Sequence, residues 1–248
     1  MITSAEIKFV KSLYQKKFRE QEGLFVVEGE KLVTEALRSS FRVKKVYHRD
    51  DIGENAMARM SALSSPSPAL ATVYIPEDLG KAEVPGKGLF LALDGIRDPG
   101  NLGTILRIAD WFGIDGVFAS PDTVDVFNPK VVQATMGAIF RVKFHYTEIP
   151  AFCSRVLASG GKVYGTFLDG ENLYKKALSN GLEAPSVIVI GNEANGISAA
   201  TASCVSHRLF IPPYPADDPG SESLNAAVAT AVTVAEFRRQ GAGHFGGA

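Results

Sequence analysis

The chain of 248 residues is long enough for one large domain or two smaller ones, and its 46% hydrophobic and 21% charged residues suit an ordinary soluble globular protein. No apolar run has the length of a membrane span and the N-terminus lacks a secretory apolar segment, so we expect a cytoplasmic protein. Cys153, Cys204 and four scattered histidines match no metal or redox spacing. We therefore expect two buried thiols and no metal site.

Basic residues are concentrated at the N-terminus. Residues 1–49 contain 11 Lys and Arg against 6 Asp and Glu, whereas the remainder contains 15 against 21. Such an excess predicts a segment that faces a polyanion, although a solvated helix face without a partner explains it equally well. The candidate contacts to such a polyanion are Lys8, Lys11, Lys16, Lys17, Arg19 and Lys31.

The N-terminal third has the pattern of a small α/β domain. The predicted elements are helix 7–18, strand 24–29, helix 30–37, strand 43–47, helix 54–63 and strand 71–75. A Pro-, Gly- and charge-rich stretch follows and is typical of a domain boundary. We predict a small domain over 1–77, a linker over 78–88, a large domain over 89–241 and a disordered glycine-rich tail over 242–248.

From residue 89 apolar strands alternate regularly with helices. The predicted strands are 89–94, 116–119, 142–146, 162–168, 187–190 and 208–212, and the predicted helices are 101–112, 128–141, 150–159 and 221–240. This alternation predicts an α/β fold with a parallel sheet and helices on both faces.

Ligands bind such sheets at the loops that follow the carboxyl ends of the strands. Four loops are richer in Gly, Asn and charge than plain connections require, namely 94–103, 166–170, 191–196 and 211–225. We expect them to form one site. The sequence has no P-loop, no dinucleotide fingerprint after the first strand of the large domain and no nucleophile elbow, so the corresponding enzyme classes are unsupported.

Taken singly, the polar residues of these loops are ambiguous. Arg107 suits phosphate or carboxylate recognition, but a surface arginine at the edge of an amphipathic helix is the commoner case. Glu193 is consistent with a simple turn residue, and Ser223 and Asn225 with helix caps. Their occurrence together at one sheet edge favours a shared function.

Three segments, in order, resemble the motifs of the SpoU/TrmH family of RNA ribose 2′-O-methyltransferases, in the SPOUT superfamily. They are N-L-G-T-I-L-R at 101–107, V-I-V-I-G-N-E-A-N-G-I at 187–197 and I-P…S-L-N at 211–225. Q-A-T-M-G-A-I-F-R-V at 133–142 is also similar to the family. L-F-V-V-E-G-E-K-L-V-T-E-A-L at 24–37 resembles the small ribosomal-protein-like substrate-binding domain that many members carry.

The resemblance implies a C-terminal trefoil knot, S-adenosylmethionine as methyl donor, and a homodimer whose site takes residues from both subunits. The implied cofactor contacts are Thr166, Gly191, Asn192, Ile211 and Leu224. The implied catalytic residues are Asn101, Arg107, Glu193, Ser223 and Asn225. An activated sulfonium donor needs only an aligned hydroxyl and a proton acceptor. Arginine is too basic to take the proton, so we expect Arg107 to position phosphate and stabilise developing alkoxide charge.

Ribosomal RNA is the favoured substrate, because an added basic domain suits a large structured RNA. Three alternatives stay open: a tRNA methyltransferase of this fold, a non-catalytic RNA-binding protein of this fold, and a small-molecule enzyme on an ordinary α/β sheet. The third motif departs from the family, since Pro213 stands where methionine is usual and the following loop is proline-rich and acidic. This departure puts the loop geometry in doubt.

Overall fold

A computed structural model of the protein describes residues 2–77, 83, 86–179, 181, 183–215 and 223–241. The chain divides into two compact units, Met1–Glu77 with Asp125–Arg141, and Asp78–Val124 with Val142–Ala248. Most of the predicted linker and all of the predicted tail lie outside the described residues. The predicted large domain is continuous, whereas the structure places 125–141 with the first unit.

The first unit contains a three-stranded antiparallel sheet of order β1-β3-β2. Apolar faces of α1 and α5 pack against it around Val10, Leu13 and Met57, which are fully buried. The elements are α1 Ser4–Ser12, α2 Lys16–Glu22, β1 Leu24–Glu28, α3 Glu30–Arg38, β2 Val43–His48, α4 Arg49–Ile52, α5 Glu54–Met60 and β3 Ala69–Tyr74.

Arg19 explains why the predicted helix 7–18 is two helices. Its side chain is buried, and its Nη1 donates to the carbonyls of Leu13 and Tyr14, both at 3.0 Å, which lie just after α1. Its Nε and Nη2 bind Asp125 Oδ2 at 3.1 and 2.5 Å. Arg19 is therefore a structural residue, and the prediction that it contacts RNA is wrong. The other five candidate RNA contacts are exposed: Lys8, Lys11, Lys16, Lys17 and Lys31.

The second unit contains six parallel strands in the order β6-β5-β4-β8-β7-β9, which confirms the predicted α/β fold with a parallel sheet. Along the chain the remaining elements are β4 Leu89–Asp94, α6 Pro99–Trp111, β5 Gly116–Ala119, α7 Pro129–Thr135 of the first unit, β6 Phe144–Tyr146, α8 Ile149–Ala158, β7 Lys162–Asn172, β8 Ser186–Gly191, α9 Ala199–Ala202, β9 His207–Phe210 and α10 Ala226–Gly241.

The predicted helix over 128–141 is too long. α7 ends at Thr135 because Met136 has a φ of 52° and Gly137 a φ of 99°, both in the left-handed region, and a short 3-10 helix follows. The segment packs within the first unit, where the rings of Phe127 and Phe25 have centroids 4.5 Å apart.

β4 and β8 are buried along almost their whole length, as central strands covered on both faces should be. α8 packs on one face, where Phe118 and Phe152 stack with centroids 4.1 Å apart. Cys153 lies in this core, and burial raises the pKa of its thiol to about 12, whereas Cys204 is only partly buried. In the described part of the chain no helix is long and apolar enough to cross a membrane.

α6 and α10 lie side by side and run in the same direction. Asn225, just before α10, hydrogen-bonds Asn101 in the first turn of α6. At the other end, Arg238 donates from Nε to the carbonyl of Phe112 at 2.8 Å and from Nη2 to that of Gly113 at 2.5 Å. This pairing fixes the start of α10, and with it the position of Asn225, relative to α6.

Candidate active site

Three polar side chains meet at the carboxyl edge of the second sheet, where β4 and β8 end in register. Asn101 Nδ2 donates to Glu193 Oε1 at 2.9 Å, and Asn225 Nδ2 donates to Asn101 Oδ1 at 2.8 Å. The start of α6, the loop after β8 and the start of α10 are therefore linked by consecutive hydrogen bonds. The structure brings these three predicted residues together, while their catalytic role stays a prediction.

The start of α6 positions Asn101. Asp98 is the N-cap, and its Oδ1 accepts a hydrogen bond of 2.8 Å from the backbone N–H of Asn101. Pro99 occupies the first helical position, where its missing N–H costs nothing. The helix therefore begins at Pro99, two residues before the predicted start, and Asn101 lies in its first turn.

The carboxylate of Glu193 accepts several hydrogen bonds. Besides Asn101, its carboxylate accepts from the backbone N–H groups of Arg97 at 3.3 Å and Asp98 at 3.2 Å. Burial raises the pKa of Glu193, but these hydrogen bonds outweigh it and hold the pKa below its ordinary value of 4.5. The group is thus an anion at neutral pH that holds the loop after β4 in place, and it is a poor proton acceptor.

The turn after β8 is closed by the side chain and backbone of Asn192. Its Nδ2 donates to the carbonyl of Gly95 at 2.6 Å, and its backbone exchanges two hydrogen bonds of 2.9 Å with Gly196. A Cβ at position 191 would lie 2.2 Å from the carbonyl carbon of Gly196. Only glycine fits at 191, because any Cβ there would collide with the backbone of the turn that Asn192 and Gly196 close.

The predicted cofactor contacts lie on three neighbouring strands. Gly191 ends β8, Thr166 lies in β7 and pairs with Leu209 of β9, and Ile211 follows β9. Thr166 Oγ1 also approaches the carbonyl oxygen of Val189 in β8 at 3.4 Å. These positions therefore lie on or directly after adjacent strands of the sheet.

The third motif is only partly described. Residues 216–222 of its loop lie outside the described residues, so the prediction of an altered loop geometry after Pro213 lies there as well. Leu224, two residues before α10, is half-exposed. Ser223 is exposed and has no hydrogen-bond partner among the described residues, so it is not part of the linked cluster.

Arg107 is also outside this cluster. It lies six residues after Asn101, so the two side chains point about 120° apart around the helix axis. Its guanidinium is exposed and forms no hydrogen bond or ion pair with the part of the chain that the structure describes. It shares its helix face with Thr104 and Trp111, whose side chain is 85% exposed.

Sequence reasoning did not find every residue that builds the site. Asp98 and Arg97 bind Glu193 through their backbones, and Asp94 Oδ2 accepts from the backbone N–H of Ser198 at 2.8 Å. The Asp-Pro pair after a buried strand was an available signal for an N-cap at Asp98. The described residues contain no group of three or more His, Cys, Asp or Glu side chains arranged to hold a metal ion.

Comparison with known families settles where this chain belongs. Residues 88–235 match the model of the SpoU rRNA Methylase family. The chain belongs to the SpoU rRNA methylase family. Residues 4–71 match the MRM3-like substrate binding domain, in agreement with the resemblance of the N-terminal segment. The predicted family is therefore confirmed.

Individual relatives match nearly the whole chain. The chain is 32% identical to the 23S rRNA (guanosine(2553)-2′-O)-methyltransferase RlmP of Bacillus subtilis, with 94% of this chain and 96% of that protein covered. A solved structure from Porphyromonas gingivalis, assigned to the TrmH family of RNA methyltransferases, is 38% identical with a TM-score of 0.86, covering 97% and 99% of the two chains. An AdoMet-bound rRNA methyltransferase from Sinorhizobium meliloti is 28% identical with a TM-score of 0.84, covering 96% of each chain.

Proposed function

We propose that this protein transfers a methyl group from S-adenosylmethionine to a ribose 2′-hydroxyl of ribosomal RNA. The proposal rests on the hydrogen-bonded residues Asn225, Asn101 and Glu193, which lie beside Gly191 in a protein of the SpoU family. The relatives support both the cofactor and the substrate, because one is named as a 23S rRNA 2′-O-methyltransferase and another was solved with AdoMet bound.

We assign the cofactor to the carboxyl ends of β8, β7 and β9, where the predicted contact residues lie. S-adenosylmethionine supplies a methyl group already activated on sulfonium, so no enzyme nucleophile is required. Gly191 would contact the cofactor through its backbone, and Asn192 fixes the turn that follows. Thr166 lies in the neighbouring strand β7, and Ile211 directly follows β9. Leu224, which lies two residues before α10, is the fifth proposed cofactor contact.

The reacting hydroxyl would be aligned by the amide pair. Asn225 and Asn101 have their amide orientations fixed by donation toward the anionic Glu193, which leaves no freedom to flip. Glu193 thus acts as a positioning residue. Arg107 would bind the RNA phosphate and stabilise the developing alkoxide, the hydroxyl proton would pass to solvent water, and Ser223 would contact the substrate.

A homodimer accounts for the position of Arg107. Trp111 on α6 and Val228 on α10 are large apolar side chains exposed on two neighbouring helices, 85% and 48% respectively. We assign this face of the two helices to the subunit interface that the family resemblance implies. A second copy covering this face would place Arg107, which points away from its own cluster, beside the cluster of the partner.

The C-terminal region would be tied in a trefoil knot, as the family resemblance implies.

The first unit would bind RNA through its exposed lysines, with Lys8 and Lys11 on α1, Lys16 and Lys17 on α2, and Lys31 on α3. These side chains suit phosphate contacts that carry little sequence information.

We propose a cytoplasmic location, since that is where a bacterial-type ribosomal RNA is modified.

The proposal is tested by labelled methyl transfer together with calorimetry of S-adenosylmethionine binding. Wild-type protein should bind the cofactor and label unmodified ribosomal RNA transcripts in preference to tRNA transcripts. Gly191→Ala should abolish cofactor binding, whereas Gly86→Ala, where a Cβ meets nothing within 4 Å, should bind normally. A wild-type protein that binds no S-adenosylmethionine would overturn the proposal.

A further inference from the structure

A second arginine stands at the edge of the candidate site. The backbone N–H of Arg97 donates to Glu193 Oε2 at 3.3 Å, which fixes its Cα beside the cluster. Its side chain is 70% exposed, and its Nη2 lies 3.6 Å from Oδ2 of Asp122, itself 57% exposed. The guanidinium has no other partner among the described residues. Arg97 is thus anchored at its backbone and loosely held at its charged end.

Asp122 is held much more firmly than Arg97. Ser120 Oγ donates to Asp122 Oδ1 at 2.6 Å and accepts from the backbone N–H of Gly95 at 2.8 Å. Gly95 has a φ of 76°, and a Cβ there would lie 3.2 Å from Asp122 Oδ2. The hydrogen bond from Ser120 outweighs burial and, with Arg97, holds the pKa of Asp122 below its ordinary value. A fixed carboxylate therefore faces a movable guanidinium.

A contribution to folding stability does not explain why Arg97 and Asp122 are paired. Both side chains are mostly exposed, and ion pairs of that kind contribute little to folding. A separation of 3.6 Å is also longer than a hydrogen bond, so the guanidinium donors are not committed to the carboxylate. The ion pair can therefore separate at a small cost in free energy when an anion that binds the guanidinium more strongly is present.

We propose that Arg97 is a phosphate-binding residue for the RNA substrate, and that Asp122 holds its guanidinium at the edge of the site until a phosphate displaces the carboxylate. The inference rests on the proposed function and names a subsite for it. In RNA the 3′-phosphate is attached to the carbon next to the one bearing the 2′-hydroxyl. A ribose aligned at Asn101 therefore brings a phosphate toward a side chain anchored one residue before the helix cap.

The ligand chemistry suits arginine. A guanidinium presents paired donors that match two phosphate oxygens, and charge-assisted bonds of this type are stronger than the loose contact with Asp122. Direct contact with the phosphate beside the reacting ribose would fix the register of the RNA without reading a base. Arg97 would act on substrate binding, separately from cofactor binding.

The test measures binding of an unmodified large-subunit ribosomal RNA transcript across a range of KCl concentrations, with steady-state methyl transfer in parallel. Arg97→Ala is compared with Arg155→Ala, an exposed arginine in the last turn of α8, at the opposite edge of the sheet. We expect Arg97→Ala to weaken RNA binding about tenfold and to reduce the salt slope by about one. KM for RNA should rise with little change in cofactor affinity, and Arg155→Ala should resemble wild type.

Asp122→Asn supplies the second arm, because it retains the side-chain volume while removing the charge. It should tighten RNA binding about threefold in the wild-type chain and have no effect in a chain that carries Arg97→Ala. Equal RNA affinity and salt slope for Arg97→Ala and Arg155→Ala would overturn the proposal, as would an effect of Asp122→Asn that is the same in both backgrounds. Failure of the proposed function is distinguishable, since it would appear as a wild-type protein that transfers no methyl group to RNA.

Discussion

The side-chain amide of Asn225 donates a 2.8 Å hydrogen bond to the side-chain oxygen of Asn101, joining two residues 124 positions apart in the chain. Asn101 in turn donates to Glu193. The direction of donation is fixed by the carboxylate at the end, because an ionised Glu193 can only accept. The candidate site is thus a polar network with one arrangement of its amides.

Asn101→Asp should disrupt this arrangement. The substitution places a second carboxylate oxygen where Nδ2 donates to Glu193 at 2.9 Å, so two like charges face each other. We expect kcat for methyl transfer to fall about a hundredfold because the reacting groups are misplaced. Asn128→Asp, at the N-cap of α7, makes the same chemical change where a carboxylate caps equally well and should leave kcat unchanged. Equal activity of both variants would contradict the network.

Glu193→Gln tests whether the carboxylate positions the loop after β4. The pKa of Glu193 is lowered in the folded protein, so its stabilising contribution is present above pH 4.5 and is lost as the pH falls through the folded pKa. The variant should be less stable than wild type by about 1 kcal/mol at about pH 6.5, and the difference should shrink toward about pH 3.5. Urea unfolding at both pH values measures it.

Glu171→Gln is the matched control for that experiment, since Glu171 is a mostly exposed carboxylate paired with Lys176. Its effect should stay within about 0.5 kcal/mol at both pH values. A pH-independent difference for Glu193→Gln would mean that the charge of Glu193 does not hold the loop.

Much of this site follows from the sequence because parallel strands bring their carboxyl ends to one edge. The strand ending at Asp94 and the one ending at Gly191 could be read from apolar runs, so the meeting of Asn101 and Glu193 was predictable. The pairing of Asn225 with Asn101 depends on α10 lying along α6, which periodicity does not reveal. The sheet-edge argument predicted that the 211–225 loop joins the site, but it did not predict this hydrogen bond.

Other features depend on tertiary contacts that no local pattern encodes. Lysine-rich helix 7–18 gave no sign that Arg19 is buried, because its partner Asp125 lies more than one hundred residues away. The early end of α7 results from Met136 in a left-handed conformation that non-glycine residues seldom adopt. β7 continues to Asn172, past its predicted end at 168, because it pairs with β9 a second time after a local irregularity.

Arg19→Ala should destabilise the protein. The change leaves Asp125 without its partner and two carbonyls after α1 without donors, so we expect a loss of about 3 kcal/mol in the free energy of unfolding. Lys16→Ala, in an exposed pair with Glu20, should change stability by less than about 0.5 kcal/mol. Thermal and urea unfolding compare the two, and equal stabilities would contradict the structural role of Arg19.

Mixed dimers test whether Arg107 serves the partner subunit. Chains carrying Arg107→Ala and chains carrying Asn101→Ala should each be inactive, but half of the mixed dimers' sites would be intact if the arginine crosses the interface. Co-expressed random mixtures should then recover about a quarter of wild-type activity. Activity that stays at the level of the separate variants would show that Arg107 acts within its own subunit.

The most direct measurement is the position of the transferred methyl group. Ribosomal RNA labelled from S-adenosylmethionine by the wild-type protein would be digested with alkali and with nuclease, and the labelled products separated. A 2′-O-methyl group blocks alkaline cleavage at its own nucleotide, so we predict that the label appears in one alkali-resistant dinucleotide. Label in a base, or label confined to tRNA, would contradict the proposed reaction or its substrate.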